Sequence, residues 1–76
     1  MKPLVEFVAK SLVDNADEVQ VHQSDRGDAT VLELEVAQPD LGKIIGRQGR
    51  TARAIRTLIS AAGQKQRRRY ILDILD

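Results

Sequence analysis

Cysteine and tryptophan are absent from this chain, and phenylalanine, tyrosine and histidine occur once each. Without cysteine the chain has no disulfide framework and no thiolate metal site, so packing alone must stabilise it, and a cytoplasmic location is favoured. The single His22 has no second histidine or cysteine beside it, so we expect no metal and no cofactor. Aromatic residues at 3% also exclude a base-stacking surface of the RRM kind.

Long apolar runs are missing as well. No segment approaches the roughly 20 apolar residues needed to cross a bilayer, and no signal peptide precedes the first helical pattern, so we expect no membrane association. Hydrophobic residues at 42% and charged residues at 30% are ordinary globular usage. A chain of 76 residues buries only about 60% of its unfolded surface. We therefore expect one small domain over residues 1–76.

The formal net charge of +1 hides an asymmetry between the two halves of the chain. Residues 1–40 contain three basic and nine acidic residues, whereas residues 41–76 contain nine basic and two acidic ones. A polyanion would therefore meet the second half. The alternative is that the two halves attract each other across the fold, and charge alone does not separate these interpretations.

Periodicity predicts six main elements. A helical stripe covers residues 3–14, and two alternating segments around the turn-rich 24–28 predict a β-hairpin that ends near Val36. Pro39 and Asp40 end the strand, with Asp40 as N-cap of a short helix over 41–45. A longer helix follows over 50–62 with Gly63 as its stop, and a last strand covers 70–74.

The predicted order is α-β-β-α-α-β, an α+β fold with the helices packed on one face of a three-stranded mixed sheet. A helical crossover joins the second and third strands, so we expect those two strands to be parallel neighbours and the hairpin to be antiparallel.

The segment Gly46-Arg47-Gln48-Gly49 lies between two predicted helices and follows two isoleucines. A GxxG sequence alone is weak evidence, but aliphatic residues before it and a helix on each side make it specific. Glycine at both ends lets a sugar-phosphate backbone approach the main-chain N–H groups closely. The following helix aims its unpaired N–H groups and positive dipole end at the same phosphates.

The run GKIIGRQGRTARAIRTLISAA, the element order and the length resemble the small bacterial single-KH-domain RNA-binding proteins of the KhpA type. The resemblance implies a type II KH fold that clamps the backbone of about four nucleotides of single-stranded RNA on the GxxG loop. It further implies a role as RNA chaperone or post-transcriptional regulator. The alternatives are a protein-interaction or dimerisation adaptor and a single-stranded DNA binder.

We expect no enzyme activity, because Ser11 and Ser60 have no nearby histidine, His22 near Ser24 stands alone without a second histidine or cysteine, and the basic half contains only two carboxylates. By the resemblance, one of Ile44 and Ile45 floors the nucleotide groove and the other is buried, and the sequence leaves open which. The predicted RNA-binding residues are Lys43, Ile44, Ile45, Gly46, Arg47, Gln48, Gly49, Arg50 and Arg53. Arg56 is the basic residue of this helix that most resembles ordinary surface.

The helix over 50–62 has more apolar and small residues than a core stripe needs. Ala52, Ile55, Ile59 and Ala62 suffice for that stripe. A second strip, predicted as a dimer interface, consists of Thr51, Ala54, Leu58 and Ala61. The alternative is that Leu58 only widens the core contact. The resemblance implies a homodimer, or a heterodimer with a larger KH-containing protein.

Basic residues also cluster before the last strand, at Lys65 and Arg67 to Arg69. They could extend the RNA path, or they could protect an edge strand from aggregation. The sequence favours neither.

Overall fold

The computed structural model describes residues 1–76, and its elements follow the predicted order. Helices α1, α2 and α3 span Lys2–Leu12, Leu41–Ile45 and Arg50–Lys65, and strands β1, β2 and β3 span Gln20–Arg26, Ala29–Glu35 and Arg69–Ile74. Single turns of 3-10 helix cover Ala16–Glu18, Gln38–Asp40 and Arg47–Gly49. The predicted α+β fold is confirmed. No helix combines the length and the apolar character that crossing a membrane requires.

The sheet has the order β1-β2-β3, with β2 in the centre. β1 pairs antiparallel with β2, from Gln20 opposite Glu35 to Arg26 opposite Ala29. β2 pairs parallel with β3, and Thr30 lies opposite Tyr70. Both predicted pairings are confirmed, because the two helices between β2 and β3 provide the crossover that a parallel pair needs.

One face of the sheet packs against the helices and forms the core. Because strand side chains alternate, Leu32 and Leu34 of β2 point to the same face, where Leu72 of β3 lies beside Leu32. All three are buried in one cluster with residues from each helix: Val5, Ala9, Ile44, Ile55 and Ile59. Fully burying a leucine contributes about 1.5–3 kcal/mol, so these side chains hold the helices against the sheet.

The hairpin turn is tighter than the sequence indicates. β1 continues to Arg26, so only Gly27 and Asp28 form the turn within the predicted 24–28 segment. Gly27 has φ 65° at the first turn position, where a two-residue type II′ turn requires glycine. The polar end of β1 is held in the strand because Asp25 accepts hydrogen bonds from Thr30 and from Arg68.

Helix α3 does not stop at Gly63, so that prediction is wrong. The helix continues to Lys65, and Gly63 is buried within it. A Cβ at Gly63 would lie 2.5 Å from the carbonyl oxygen of Arg68 and 2.8 Å from the Tyr70 ring. Glycine is required here because the last turn of α3 touches the start of β3, and no side chain fits between them.

The stop itself is a Schellman motif with a left-handed arginine. Arg67 has φ 55°, the conformation that glycine usually supplies after a helix. The N–H of Arg68 donates to the carbonyl of Gly63 at 2.9 Å, and the N–H of Arg67 donates to that of Gln64 at 3.1 Å. These are the two hydrogen bonds that define the motif.

Asp40 stands at the predicted N-cap position of α2, but its side chain makes no capping hydrogen bond to that helix. Its carboxylate is only 1% exposed. It accepts hydrogen bonds from the main-chain N–H groups of Asp14 at 3.3 Å and Asn15 at 3.0 Å, and from the Asn15 side chain at 3.0 Å. Lys43 Nζ lies 3.5 Å from it. Asp40 therefore ties the segment after α1 to the beginning of α2.

The hydrogen bonds around Asp40 also set its ionisation. Burial acts to raise the pKa of this carboxyl, but the donors of Asn15 and Asp14 and the charge of Lys43 outweigh it, so the pKa lies below its ordinary value. The hydrogen bond from Lys43 to Asp14 raises the pKa of the lysine; burial opposes this, and the charges of both carboxylates reinforce it. Both groups are therefore ionised at neutral pH.

Replacing Gly63 with Ala should destabilise the protein by about 1–3 kcal/mol, because the added methyl overpacks the contact between α3 and β3. Gly42→Ala is the matched control, since nothing lies within 4 Å of a Cβ there and alanine favours the helix. Urea unfolding measures both variants. Equal or higher stability of the Gly63 variant would contradict the close approach.

Replacing Asp40 with Asn should lower Tm at neutral pH, because the amide cannot replace the anionic acceptor of three hydrogen bonds. The carboxylate stabilises the fold fully above the ordinary pKa of 3.8, and this contribution disappears as the pH falls through the lower pKa of the folded state. The Tm difference from wild type should therefore shrink below pH 3.8.

Thermal unfolding followed by circular dichroism across this pH range tests the prediction. Asp17→Asn is the control, because Asp17 is exposed and forms no ion pair. A Tm difference that stays constant down to the acid limit would contradict the assigned role of the charge.

Candidate functional site

The loop Gly46-Arg47-Gln48-Gly49, called the clamp loop below, connects α2 to α3. Gly46 has φ 76° and ψ 173°, a conformation available almost only to glycine. A Cβ there would also overlap Thr51 Oγ1 and lie 2.9 Å from the main-chain nitrogen of Thr51. Gly46 is thus required twice, for its backbone angle and for the close approach of α3.

Two arginines of α3 hold the clamp loop in shape. Gln48 is left-handed, with φ 58°, and its carbonyl accepts a hydrogen bond from Arg53 Nη2 at 3.3 Å. Its side-chain oxygen accepts one from Arg50 Nη2 at 3.2 Å. The guanidinium groups of Arg50 and Arg53 therefore surround the loop, while Arg47 is exposed at its tip.

A groove of about 350 Å³ opens beside the clamp loop, between α2 and α3 on one side and the end of β3 on the other. The lining residues are Leu41, Ile45, Gly49, Ala52, Arg53, Arg56, Ile74 and Asp76. The floor is apolar, both arginines come from α3, and Asp76 is the only acidic residue in the lining. The groove combines an apolar surface with guanidinium groups at its edge.

The structure separates the two isoleucines that the sequence left undecided. Ile44 is fully buried in the core, and Ile45 is 39% exposed and lines the groove. In a helix of only five residues, periodicity could not assign the two sides, and contact with the sheet decides.

Charge at the site depends on which basic groups are already paired. Lys43 forms ion pairs with Asp14 and Asp40, so its charge is largely used within the fold. Arg47, Arg50, Arg53 and Arg56 are all exposed, and none forms an ion pair. The clamp loop and groove are therefore flanked by four guanidinium groups that have no carboxylate partner, and they form a strongly basic surface.

The second predicted strip of α3 is only partly open. Leu58 is 47% exposed, and Ala54 and Ala61 are exposed, whereas Thr51 is half-buried and packs beneath Gly46. Leu58 is absent from the core cluster, so it does not simply widen the core contact.

Sequence reasoning missed several residues that line the groove. Arg56 lies one turn beyond Arg53, and that spacing could have placed it on the same side of α3. Leu41 and Ile74 carry no signal in the sequence, because the crossover that brings β3 beside α2 is visible only in the folded chain.

A protein-family model described as the KhpA/KhpB KH domain matches residues 2–74. A curated relative from Borreliella burgdorferi, named RNA-binding protein KhpA, is 56% identical over 96% of this chain and 89% of its own length. The relative of the same name from Halalkalibacterium halodurans is 51% identical over the whole of both chains.

A third relative with that name, from Clostridium acetobutylicum, is 52% identical over 99% of this chain and its own full length. No solved structure matches the chain significantly. The family match covers α1 through β3, and therefore the clamp loop and every residue of the groove lining except Asp76. The chain belongs to the KhpA/KhpB family of KH domains.

Proposed function

We propose that this protein binds single-stranded RNA, with the sugar-phosphate backbone on the clamp loop and the bases in the adjacent groove. The observation that carries the proposal is the position of the exposed, apolar Ile45 in a groove that begins at Gly49. An apolar floor beside a basic loop fits a strand whose bases and phosphates lie on opposite sides. The relatives are named RNA-binding proteins, which supports RNA as the ligand.

The residues divide into three roles within this proposal. Gly46 to Gly49 bring main-chain N–H groups close to the phosphates, and Arg47, Arg50, Arg53 and Arg56 provide the attraction. Ile45 contacts the bases. Lys43 and Ile44 act indirectly, because one neutralises Asp14 and Asp40 and the other anchors α2 in the core.

Single-stranded DNA is the main alternative ligand, because phosphate contacts are common to both nucleic acids. Only contacts with the 2′-hydroxyl group separate them. Matched RNA and DNA oligomers of one sequence test this directly, and tighter RNA binding is expected. A role as RNA chaperone or post-transcriptional regulator and a cytoplasmic location stay predictions.

Self-association through α3 is a second proposal, favoured by the 47% exposure of Leu58 between two small, exposed residues. Ala54 and Ala61 let a partner helix approach closely around Leu58, and a two-fold dimer is the commonest outcome of such a surface. The same strip would accept a homologous helix of a larger KH-containing protein. If dimerisation is the only function of the chain, it is an adaptor and RNA binding should be absent.

Replacing Arg47 and Gln48 together with Asp should abolish RNA binding and leave the fold intact. Both side chains are exposed, and aspartate tolerates the left-handed backbone at position 48. Two carboxylates facing phosphates cost about 3 kcal/mol or more, which lowers affinity about a hundredfold. Fluorescence anisotropy with a labelled RNA measures the change.

The matched control replaces the exposed Lys2 of α1 and Gln20 of β1 with Asp, which changes the net charge equally and alters no residue of the clamp loop or the groove lining. Its affinity should stay close to wild type. If the folded Arg47 and Gln48 variant binds as well as this control, the clamp assignment is wrong.

Replacing Leu58 with Glu should convert the wild-type dimer into a folded monomer, because a charge would be buried without a partner at the interface. Sedimentation velocity measures the association state and circular dichroism the fold. Thr57→Glu, an exposed neighbour outside the strip, should remain dimeric. An unchanged dimer would place the interface elsewhere, and a monomeric wild type would reject the proposal.

A further inference from the structure

The groove beside the clamp loop does not end at Arg56. A second cavity of about 250 Å³ continues between α3 and β3, and Arg56 lines both. A third cavity of about 490 Å³ follows at the far end of α3, and Ser60, Arg69 and Tyr70 line both the second and the third. The three cavities lie in succession along α3 and share these lining residues, and together they are called the track below.

The track ends at the basic residues before β3, and these have different roles. Arg68 donates to Thr30, to Asp25 at 3.0 Å and to the carbonyl of Ala29 at 3.3 Å, so it holds the hairpin against β3. Arg67 and Arg69 line the far cavity, are exposed and form no ion pair.

The left-handed backbone of Arg67 favours a functional role for its side chain. A left-handed residue after a helix is normally glycine, and a long side chain there carries strain. Strained residues concentrate where the side chain is needed for function. Protection of a strand edge explains a basic residue at Arg69, which lies in β3, but not at Arg67, which precedes the strand.

We propose that Arg67 and Arg69 form a second phosphate contact, which binds RNA longer than the segment held by the clamp loop. The inference rests on the proposed RNA binding and extends it. α3 has 16 residues and is about 24 Å long, so the two contacts lie at opposite ends of the track. The clamp holds about four nucleotides, and only a longer strand reaches the far cavity.

Asp28 is the acidic residue that faces the same cavity. It forms no ion pair, so its charge opposes a phosphate there. Removing the charge of Arg67 should therefore weaken the binding of long RNA, and removing the charge of Asp28 should strengthen it.

The experiment compares an unstructured pyrimidine RNA of about four nucleotides with one of about ten, using the full chain. Arg67→Gly removes the guanidinium and relieves the left-handed strain, so Tm should rise. At ~0.1 M salt, loss of one neutralised phosphate should weaken decamer binding about fivefold and lower the slope of log K against log salt by about 0.7. Tetramer affinity should stay unchanged.

Asp28→Asn should tighten decamer binding. Lys10 is exposed on α1, and Lys10→Gln should change neither the tetramer nor the decamer affinity. In NMR titrations of the wild type, the decamer should shift the amides of Arg67 and Arg69, and the tetramer only those near the clamp loop.

Three results would overturn the second contact. They are wild-type decamer affinity in the Arg67 variant, an equal loss on both oligomers, or no amide shift at Arg67 and Arg69. If the wild type binds the tetramer and binds the decamer no more tightly, the second phosphate contact is rejected and the proposed RNA binding is kept. If the wild type binds neither RNA, the proposed function falls together with the extension.

Discussion

The carboxylate of Asp40 occupies the point where the segment after α1 meets the start of α2, and the position of the clamp loop depends on it. A charge that is 1% exposed needs partners, and here it has three N–H donors and an ammonium group nearby. These donors come from Asp14 and Asn15, far from Asp40 in sequence. Their geometry fixes α2, and the five residues of α2 lead directly into Gly46.

The basic residues of the second half of the chain divide into those that form ion pairs within the fold and those that do not. Lys43 and Arg68 pair with carboxylates of the acidic half, so part of the charge asymmetry does hold the two halves together. The remaining arginines of α3 and the segment before β3 have no such partners. The attraction between the two halves is therefore confirmed for Lys43 and Arg68, and polyanion binding by the unpaired arginines stays a prediction.

Most of the architecture could be predicted from the sequence because its signals are local. Alternation placed β1 and β2, helical spacing placed α1 and α3, and the crossover between β2 and β3 required a parallel pair. The errors occurred where a distant contact determines the residue. Gly63 resembles a helix stop, but the approach of Arg68 and Tyr70 requires it. Asp40 does stand at the N-cap position, but its carboxylate binds the N–H groups after α1 instead of capping α2.

The candidate site shows the same limit. The clamp loop could be recognised because its glycines and flanking isoleucines are contiguous. The groove could not, since it joins α2 and α3 to β3, and its lining residues are up to 35 positions apart, from Leu41 to Asp76. The same packing buries Ile44 in the core and leaves Ile45 in the groove, and no residue pattern within α2 predicts which isoleucine takes which position.

The parallel pairing of β2 with β3 has a consequence for how the protein folds. Thr30 meets Tyr70, so closing the sheet joins segments 40 residues apart, whereas the β1–β2 hairpin closes through two residues. Non-local pairing of this kind slows folding, because loop-closure entropy is lost before the contacts form. A chain with only its hairpin formed has no groove, since β3 is one of its walls. Ligand binding and completion of the fold are therefore thermodynamically linked, and a bound strand stabilises the chain against unfolding.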